Sequence, residues 1–583
     1  MEKSDIIENK NQLEWRVNVL KFKDYKYERP DLSKITEEFD EILKRFSEAK
    51  SFEEQNEVMK EINKVRNHVD SMATLVSIRH SIDTEDEFYA EENDFIDENR
   101  PKFENLVSKF YKELVNSKFR KELEKAWGKQ VFTLAELQLQ TFSEEIIEDL
   151  IKENKLVTEY DKLIASAKLN FEGEIRNLSQ MRPFMESKDR DMRKKASEVT
   201  TGFFKENEEE FDRIYDELVK VRDKMAKTLG FASYVEMGYK KLGRSDYDAN
   251  MVANYRKQVY EDLVPVVAEL KDRQRKRLGL KEMKHYDEPL EYLTGNATPK
   301  GDPDWILENG KKMYKELSPE TDEFFTFMVE RELLDLVSKK GKMAGGYCTI
   351  IPEYKSPFIF SNFNGTSGDI DVLTHEAGHA FQSYLSMGFE LPEYGFPTLE
   401  ACEIHSMSME FITWPWMELF FQDEVEKYKF SHLAGAINFI PYGVTVDEFQ
   451  HYVYENPTAT PEERKLKWRD IEKKYLPFRD YGDNTFLDNG GYWFRQGHIF
   501  SSPFYYIDYT LAQVCAFQFW IKTREDKEKA WEDYIRLCRA GGSLPFLELV
   551  KLANLENPFV DGTIKRVVEP INGWLDSIDD SDF

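Results

Sequence analysis

The stretch DVLTHEAGHAFQSYL, Asp371 to Leu385, sets two histidines four residues apart with a glutamate directly after the first. Asp369 and Asp371 suit the positive end of a helix dipole, and Thr366 or Ser367 is the expected cap. Leu373, Ala377, Ala380 and Tyr384 recur at helical spacing as an apolar stripe. On that helix His375 and His379 share a face, one turn apart, from which both imidazoles reach a single ion. Glu376 lies about a hundred degrees round the same turn, able to contact a metal-held water without itself ligating. With nine histidines in 583 residues, H-E-x-x-H arises by composition alone in roughly one or two chains per hundred. Gly378 adds a second signal. A mid-helix glycine costs about 1 kcal/mol relative to alanine, which predicts a close backbone approach at that turn.

A catalytic zinc takes three protein ligands and an open position. The extended pattern H-E-x-x-H-x-x-G-x-x-H is absent, because Gln382 and Leu385 stand where its glycine and last histidine would. An acidic ligand from a second helix is the remaining choice. FPTLEACEIHSMSMEF, Phe396 to Phe411, supplies that helix: Pro397 and Thr398 open it, and Glu400, Glu403 and Glu410 follow. Glu403 shares a face with Glu410 and also with Glu400, so spacing leaves the ligand open among the three. His405 points to another face and reads as a structural histidine, and Cys402 as packing.

The rest of the chain sets the frame. Its 41% hydrophobic and 33% charged residues describe a folded globular protein with one very large core or two to three ordinary ones. The start, MEKSDIIENKNQLEWRVNVL, lacks a basic flank followed by an apolar segment, and no later run approaches a membrane span. A cytoplasmic location is expected. Cys348, Cys402, Cys515 and Cys538 form no C-x-x-C pair, which predicts reduced, buried thiols. A formal charge of −29 argues against nucleic-acid binding.

Helical periodicity dominates. Ile35, Phe39, Leu43 and Phe46 follow a candidate cap at Ser33. A later helix is predicted from Ser318-Pro319 through Phe325, Val329, Leu333 and Leu336 to Lys339-Lys340-Gly341. GGYCTII and SPFIFSNFNGT then read as two strands. No candidate site residue falls early in the chain, so residues 1–200 are expected to form an N-terminal helical lobe and residues 201–583 the catalytic domain.

The H-E-A-G-H helix, with a glutamate 24 residues past its second histidine in EIHSMSME, resembles the oligoendopeptidase F and thimet oligopeptidase family of zinc metallopeptidases. PFIFSNFNGT, VDEFQHYVYENP from Val446 and HIFSSPFYYIDYTLAQ from His498 are similar to family segments, so the resemblance covers roughly residues 200 to 570. It implies a mostly α, zincin-type fold with a small β-sheet beside the site, at the bottom of a deep channel that excludes folded proteins. It further implies one Zn2+ per chain on His375, His379 and Glu403, with Glu376 as general base and Glu410 behind the ligands. His498, Tyr506 and Tyr509 become the oxyanion donors. In thimet-type members flexible glycines follow this histidine; here DNGGYWF precedes it and Ser501-Ser502-Pro503 follows, which leaves Tyr505 and Tyr506 as alternatives for one role.

The implied activity is zinc-dependent endopeptidase action on oligopeptides, with the strand near Phe358 to Asn362 pairing with the substrate backbone. A metal carboxypeptidase or dipeptidyl carboxypeptidase is the alternative, and needs a cation for the substrate's terminal carboxylate. A metal-binding scaffold without turnover would have no use for Glu376. Imidazole and carboxylate also suit manganese or cobalt, and cleavage preference and oligomeric state are not legible.

Overall fold

In the computed structural model, which describes residues 20–581 and 583, helices make up 71% of the chain. The first long helix, Leu32–Glu48, starts behind Asp31 and not the expected Ser33: the Asp31 carboxylate accepts the Lys34 N–H at 3.2 Å. Phe39 and Phe46 are fully buried on it, while Ile35 and Leu43 are half-buried. Ser51 caps Phe52–Ile82, and Asp86 caps Glu87–Val115. With Arg120–Trp127 and Gln130–Thr141 these helices enclose a small core of Phe39, Phe46, Met59, Phe110, Leu123 and Val131. That core also takes in Leu391 and Tyr394, far along the chain. A buried Arg66–Glu393 ion pair at 2.7 Å and a Val131 N–H donating to the Tyr394 hydroxyl at 3.1 Å fix the same segment.

Two short strands, β1 (Leu169–Phe171) and β2 (Glu174–Arg176), form a hairpin that the sequence reading missed. The predicted helix after Ser318 starts as expected, with Ser318 Oγ accepting the Thr321 N–H at 3.2 Å, but it ends at Glu330. Glu332 then turns with φ +56°, and Leu334–Val337 leaves as strand β3. A short apolar run carries no periodicity of its own, so Leu333 and Leu336 fitted the helical spacing while burying themselves at a strand. β4 (Tyr347–Ile351) and β5 (Ser356–Phe363) are the two expected strands. The sheet order is β3-β5-β4, with β3 parallel and β4 antiparallel to β5. Phe358, Ile359 and Phe360 therefore have partners or flanking strands on both edges, and cannot also pair with a substrate; the outer strands are β3 and β4.

Four helices carry the site. The histidine helix is Gly368–Ser386 and the glutamate helix Leu399–Ile412, with Thr398 at its N-cap position as expected. The long helix Val425–Glu455 and the tyrosine helix Tyr506–Glu525 complete the set. The glutamate helix packs between the histidine and tyrosine helices. Neither Thr366 nor Ser367 caps the histidine helix through its side chain. Instead the Asp369 carboxylate reaches back to accept the Asn364 and Gly365 N–H groups, each at 2.8 Å.

Gly378 marks the crossing of the histidine and glutamate helices. A Cβ there would lie 2.6 Å from Ser406 Cα and 2.7 Å from the His405 carbonyl oxygen. Both obstacles are backbone, which cannot swing aside. Gly378→Ala should therefore destabilise the fold by about 1–3 kcal/mol or more, despite the better helix propensity of alanine. Urea unfolding measures this, and a more stable variant would mean that the helices do not cross there.

Candidate active site

The crossing brings three donor atoms together. Glu403 Oε2 lies 3.2 Å from His375 Nε2 and 3.3 Å from His379 Nε2, and all three ligand atoms lie within 4.8 Å of one another. Atoms bound at 2.0–2.1 Å to a tetrahedral zinc stand about 3.3 Å apart, so the carboxylate already stands at coordination-shell spacing from each imidazole. The donor set fits zinc chemistry, and its second layer is built as well. Glu410 Oε1 is 2.7 Å from His375 Nδ1, which turns the Nε2 lone pair towards the gap. The Tyr505 hydroxyl donates to Glu403 Oε1, and Ser406 Oγ donates to Oε2 at 3.0 Å.

Burial opposes a charged His375, but hydrogen bonds to Glu403 and Glu410 outweigh it and raise its pKa well above the usual imidazole value. Burial likewise opposes ionisation of Glu403, yet the two histidines hold its pKa well below the carboxylate range.

Glu376 follows His375 into the same gap and is 6% exposed. Its Oε2 has no hydrogen-bond partner, and burial pushes its pKa up against the pull of His375 and His379. Gly346, just before β4, lies beside it: a Cβ there would sit 3.5 Å from Glu376 Oε1 and, more tightly, 3.1 Å from Val372 Cγ1.

The other glutamates of that helix separate cleanly. Glu400 faces the fully buried Arg244–Asp508 pair, whose N···O distance is 2.6 Å, and burial raises its pKa. His405 is buried with both ring nitrogens unpaired, its pKa pushed down to about 4 by burial. Cys402 is buried, with its thiol donating to the Pro397 carbonyl at 3.3 Å.

Across the gap, His498 Nε2 lies 3.0 Å from the Tyr509 hydroxyl, and His498 Nδ1 lies 2.8 Å from the Gln496 amide nitrogen. An amide nitrogen only donates, so Nδ1 accepts and the Nε2–H donates to Tyr509. Burial agrees with this neutral form, pushing the His498 pKa down to about 4. Tyr442 donates to Gln496 Oε1 at 2.9 Å and completes the chain. The Tyr509 hydroxyl also lies within hydrogen-bond reach of Tyr505. Tyr506 packs its ring on His498, with centroids 5.1 Å apart, and faces the same cavity. Tyr505, at the start of the helix, turns to Glu403. The cavity holds 510 Å³ and is lined by Glu410, His432, His498, Tyr506 and Tyr509 among others.

Sequence reasoning missed Gln496, Tyr442, His432 and the bond of Tyr505 to Glu403. Gln496, two residues before His498, was the one with a visible signal. Among the described residues, the one group of His, Cys, Asp and Glu side chains arranged to hold a metal is His375, His379 and Glu403.

A helical body with a small sheet beside two histidines and a glutamate that converge on one point is the plan of a helical metallopeptidase. The chain belongs to peptidase family M3: that family's model matches residues 183–297 and 312–569, and the peptidase M3 N-terminal domain matches residues 22–142. The solved structure of PZ peptidase A with an inhibitor is 61% identical, covers 96% of this chain and 100% of that one, and superposes with a TM-score of 0.96. A Bacillus anthracis protein described as an oligoendopeptidase F is 58% identical over 97% of this chain and 100% of its own, with a TM-score of 0.92. Oligopeptidase PepF of Bacillus subtilis is 24% identical over 401 residues, a match that covers 64% of this chain and 55% of that relative's length.

The geometry makes a sharp distinction between neighbouring glutamates. Glu403→Ala should abolish stoichiometric metal binding, whereas Glu400→Ala should retain it, as measured by metal analysis of purified, dialysed protein. Retention by the first and loss by the second would transfer the ligand role to Glu400.

Proposed function

We propose that this protein is a zinc-dependent endopeptidase that hydrolyses internal bonds of short, unfolded oligopeptides, with one zinc per chain on His375, His379 and Glu403. The observation that carries the reading is the convergence of His375 Nε2, His379 Nε2 and Glu403 Oε2 beside the unpaired Oε2 of Glu376. Zinc bound there would supply Lewis acidity towards the scissile carbonyl and bring the pKa of a coordinated water towards neutrality.

The chain's own residues do the rest. Glu376 Oε2, free of protein hydrogen bonds, accepts a proton from the attacking water and returns it to the leaving amine. Tyr509 donates its hydroxyl proton to the oxyanion that develops on the carbonyl, because its oxygen is already occupied by the His498 Nε2–H. Tyr506 borders the same space. The Tyr505 hydroxyl donates to Glu403 instead, which supports Tyr506 over Tyr505 beside the substrate. With β5 flanked on both sides, the edge strand β4, whose approach at Gly346 lies beside Glu376, is the one to pair with an extended peptide, a mode that tolerates many sequences.

The PZ peptidase A and oligoendopeptidase F likenesses support oligopeptides as substrates. In this reading residues 1–200 act as a lobe that helps wall a deep channel and residues 201–583 carry the chemistry. Four free cysteines fit the reducing interior of the cytoplasm. No helix among the described residues is long and apolar enough to cross a membrane.

The carboxypeptidase alternative needs a cation beside the site. Among the described residues Arg182 is the one Arg or Lys lining the cavity, and its guanidinium is bonded to Glu186, while Glu186, Glu288, Glu291, Asp371 and Glu410 line the same space. Such a wall repels a terminal carboxylate. Peptides amidated at the C-terminus should accordingly be cut at nearly the rate of their free acids, with internal fragments in the mass spectrum. Near-complete loss of cleavage on amidation would favour a carboxypeptidase.

Two substitutions separate chemistry from metal binding. Glu376→Gln should keep zinc and peptide binding while kcat falls by orders of magnitude. Tyr509→Phe should also keep zinc, with kcat and kcat/KM falling together by roughly the 2.7–4 kcal/mol typical of a lost oxyanion donor. Steady-state kinetics on metal-loaded protein is the check. An active Glu376→Gln enzyme removes the general base from this account, and a silent Tyr509→Phe removes the donor.

A further inference from the structure

Behind His375 runs a hydrogen-bond chain that hydrolysis itself does not use. Glu410 bridges two imidazoles: Oε1 lies 2.7 Å from His375 Nδ1, and Oε2 lies 2.8 Å from His432 Nε2. On its far side His432 Nδ1 accepts the Trp414 indole N–H at 3.2 Å. An indole nitrogen only donates, so His432 Nδ1 carries no proton and its Nε2–H donates to Glu410. Glu410 and Asp371 pull His432 towards a second proton, but on Nδ1 that proton would face the indole N–H.

The imidazole is held as well as oriented. Its side chain is 6% exposed, and Phe411 and Tyr428 flank it with ring centroids 5.0 and 5.5 Å away. The elements differ: His375 comes from the histidine helix, Glu410 from the glutamate helix, Trp414 from the turn after it and His432 from the long helix. The chain thus ties three helices to the aim of one ring nitrogen.

We propose that His432, fixed in its Nε2–H form by Trp414, is a positioning residue for the metal centre: it occupies one oxygen of Glu410, so that the other is committed to His375 Nδ1 and the His375 Nε2 lone pair points at the ion. A carboxylate bonded on one side only could rotate about its terminal bond and release the imidazole. With both oxygens engaged it cannot turn without breaking two hydrogen bonds. This inference rests on the reading of His375 as a metal ligand.

Zinc dissociation constants, measured by competition with a chromophoric chelator, test it without reference to turnover. His432→Phe keeps a ring but has no donor, and should weaken zinc binding about tenfold to a hundredfold in protein that circular dichroism shows to be folded. His432→Gln, whose amide can still donate to Glu410, should restore most of the affinity. Trp414→Phe should weaken binding to a smaller degree. Equal zinc affinity in folded His432→Phe and in the wild type overturns the proposal alone, whereas a wild type that takes up no zinc overturns the ligand reading with it. Should His432→Phe fail to fold, neutron diffraction from crystals of the zinc-loaded wild type decides the matter. Deuterium on His432 Nε2 and none on Nδ1 is the expected result, and a deuteron on Nδ1 overturns it.

Discussion

The close contact of two helix backbones at Gly378 is the constraint on which the site depends. Residues 405 and 406 of the glutamate helix press on the histidine helix where Gly378 has no side chain. Glu403 stands within a turn of this contact on one helix, and His375 and His379 stand within a turn on the other. A carboxylate reaches two imidazoles at 3.2 and 3.3 Å only because the axes come this near. Any side chain at Gly378 would push the helices apart and lengthen both distances. Glycine's cost to the helix, about 1 kcal/mol, is small beside what the approach makes available.

Such an approach concentrates charge where water is scarce. Glu376, Glu400 and Glu403 are each 6% exposed or less, and a buried carboxylate without compensation shifts its pKa and neutralises. The surroundings of these three acids differ. Glu403 has histidines, a phenol and a hydroxyl around its two oxygens, and stays ionised. Glu376 has an oxygen with no partner and a raised pKa, the environment of a group that exchanges a proton. Glu400 also has a pKa raised by burial, and neither of its oxygens is hydrogen-bonded; what separates it from Glu376 is place, since it faces Arg244 and Asp508 and not the two histidines.

Much of this was legible in the sequence because the relevant distances are local. One helical turn separates His375 from His379, so their shared face followed from spacing, and the glycine between them announced a neighbour before that neighbour was known. The choice among Glu400, Glu403 and Glu410 was not local. It depends on the angle and depth at which one helix crosses another, which periodicity does not encode; only the family resemblance singled out Glu403. Tyr505 and Tyr506 posed the same problem in miniature, since adjacent residues at a helix start differ by a hundred degrees in aim, and the start itself was uncertain by a residue. The third strand was misread for another reason. Leu333 to Val337 is apolar enough to continue the preceding helix, and only pairing with β5, more than twenty residues later, makes it a strand.

The N-terminal helices show how a region without a chemical group can still act on the site. Leu391, Glu393 and Tyr394 lie in the link between the histidine and glutamate helices, and their partners are Arg66, Tyr111, Val131 and the small core of residues 32–141. The link must reverse the chain so that Glu403 returns towards His379. Left to itself such a link is a loop, and its disorder would be felt as imprecision in the position of Glu403. The buried Arg66–Glu393 pair, each side chain 7% exposed, is a costly contact to place in a connection, since removing either partner strands the other charge. Its presence makes mechanical sense if the connection must be rigid: the small core of residues 32–141 holds the link, the link sets the second helix, and the second helix brings the carboxylate to the two imidazoles.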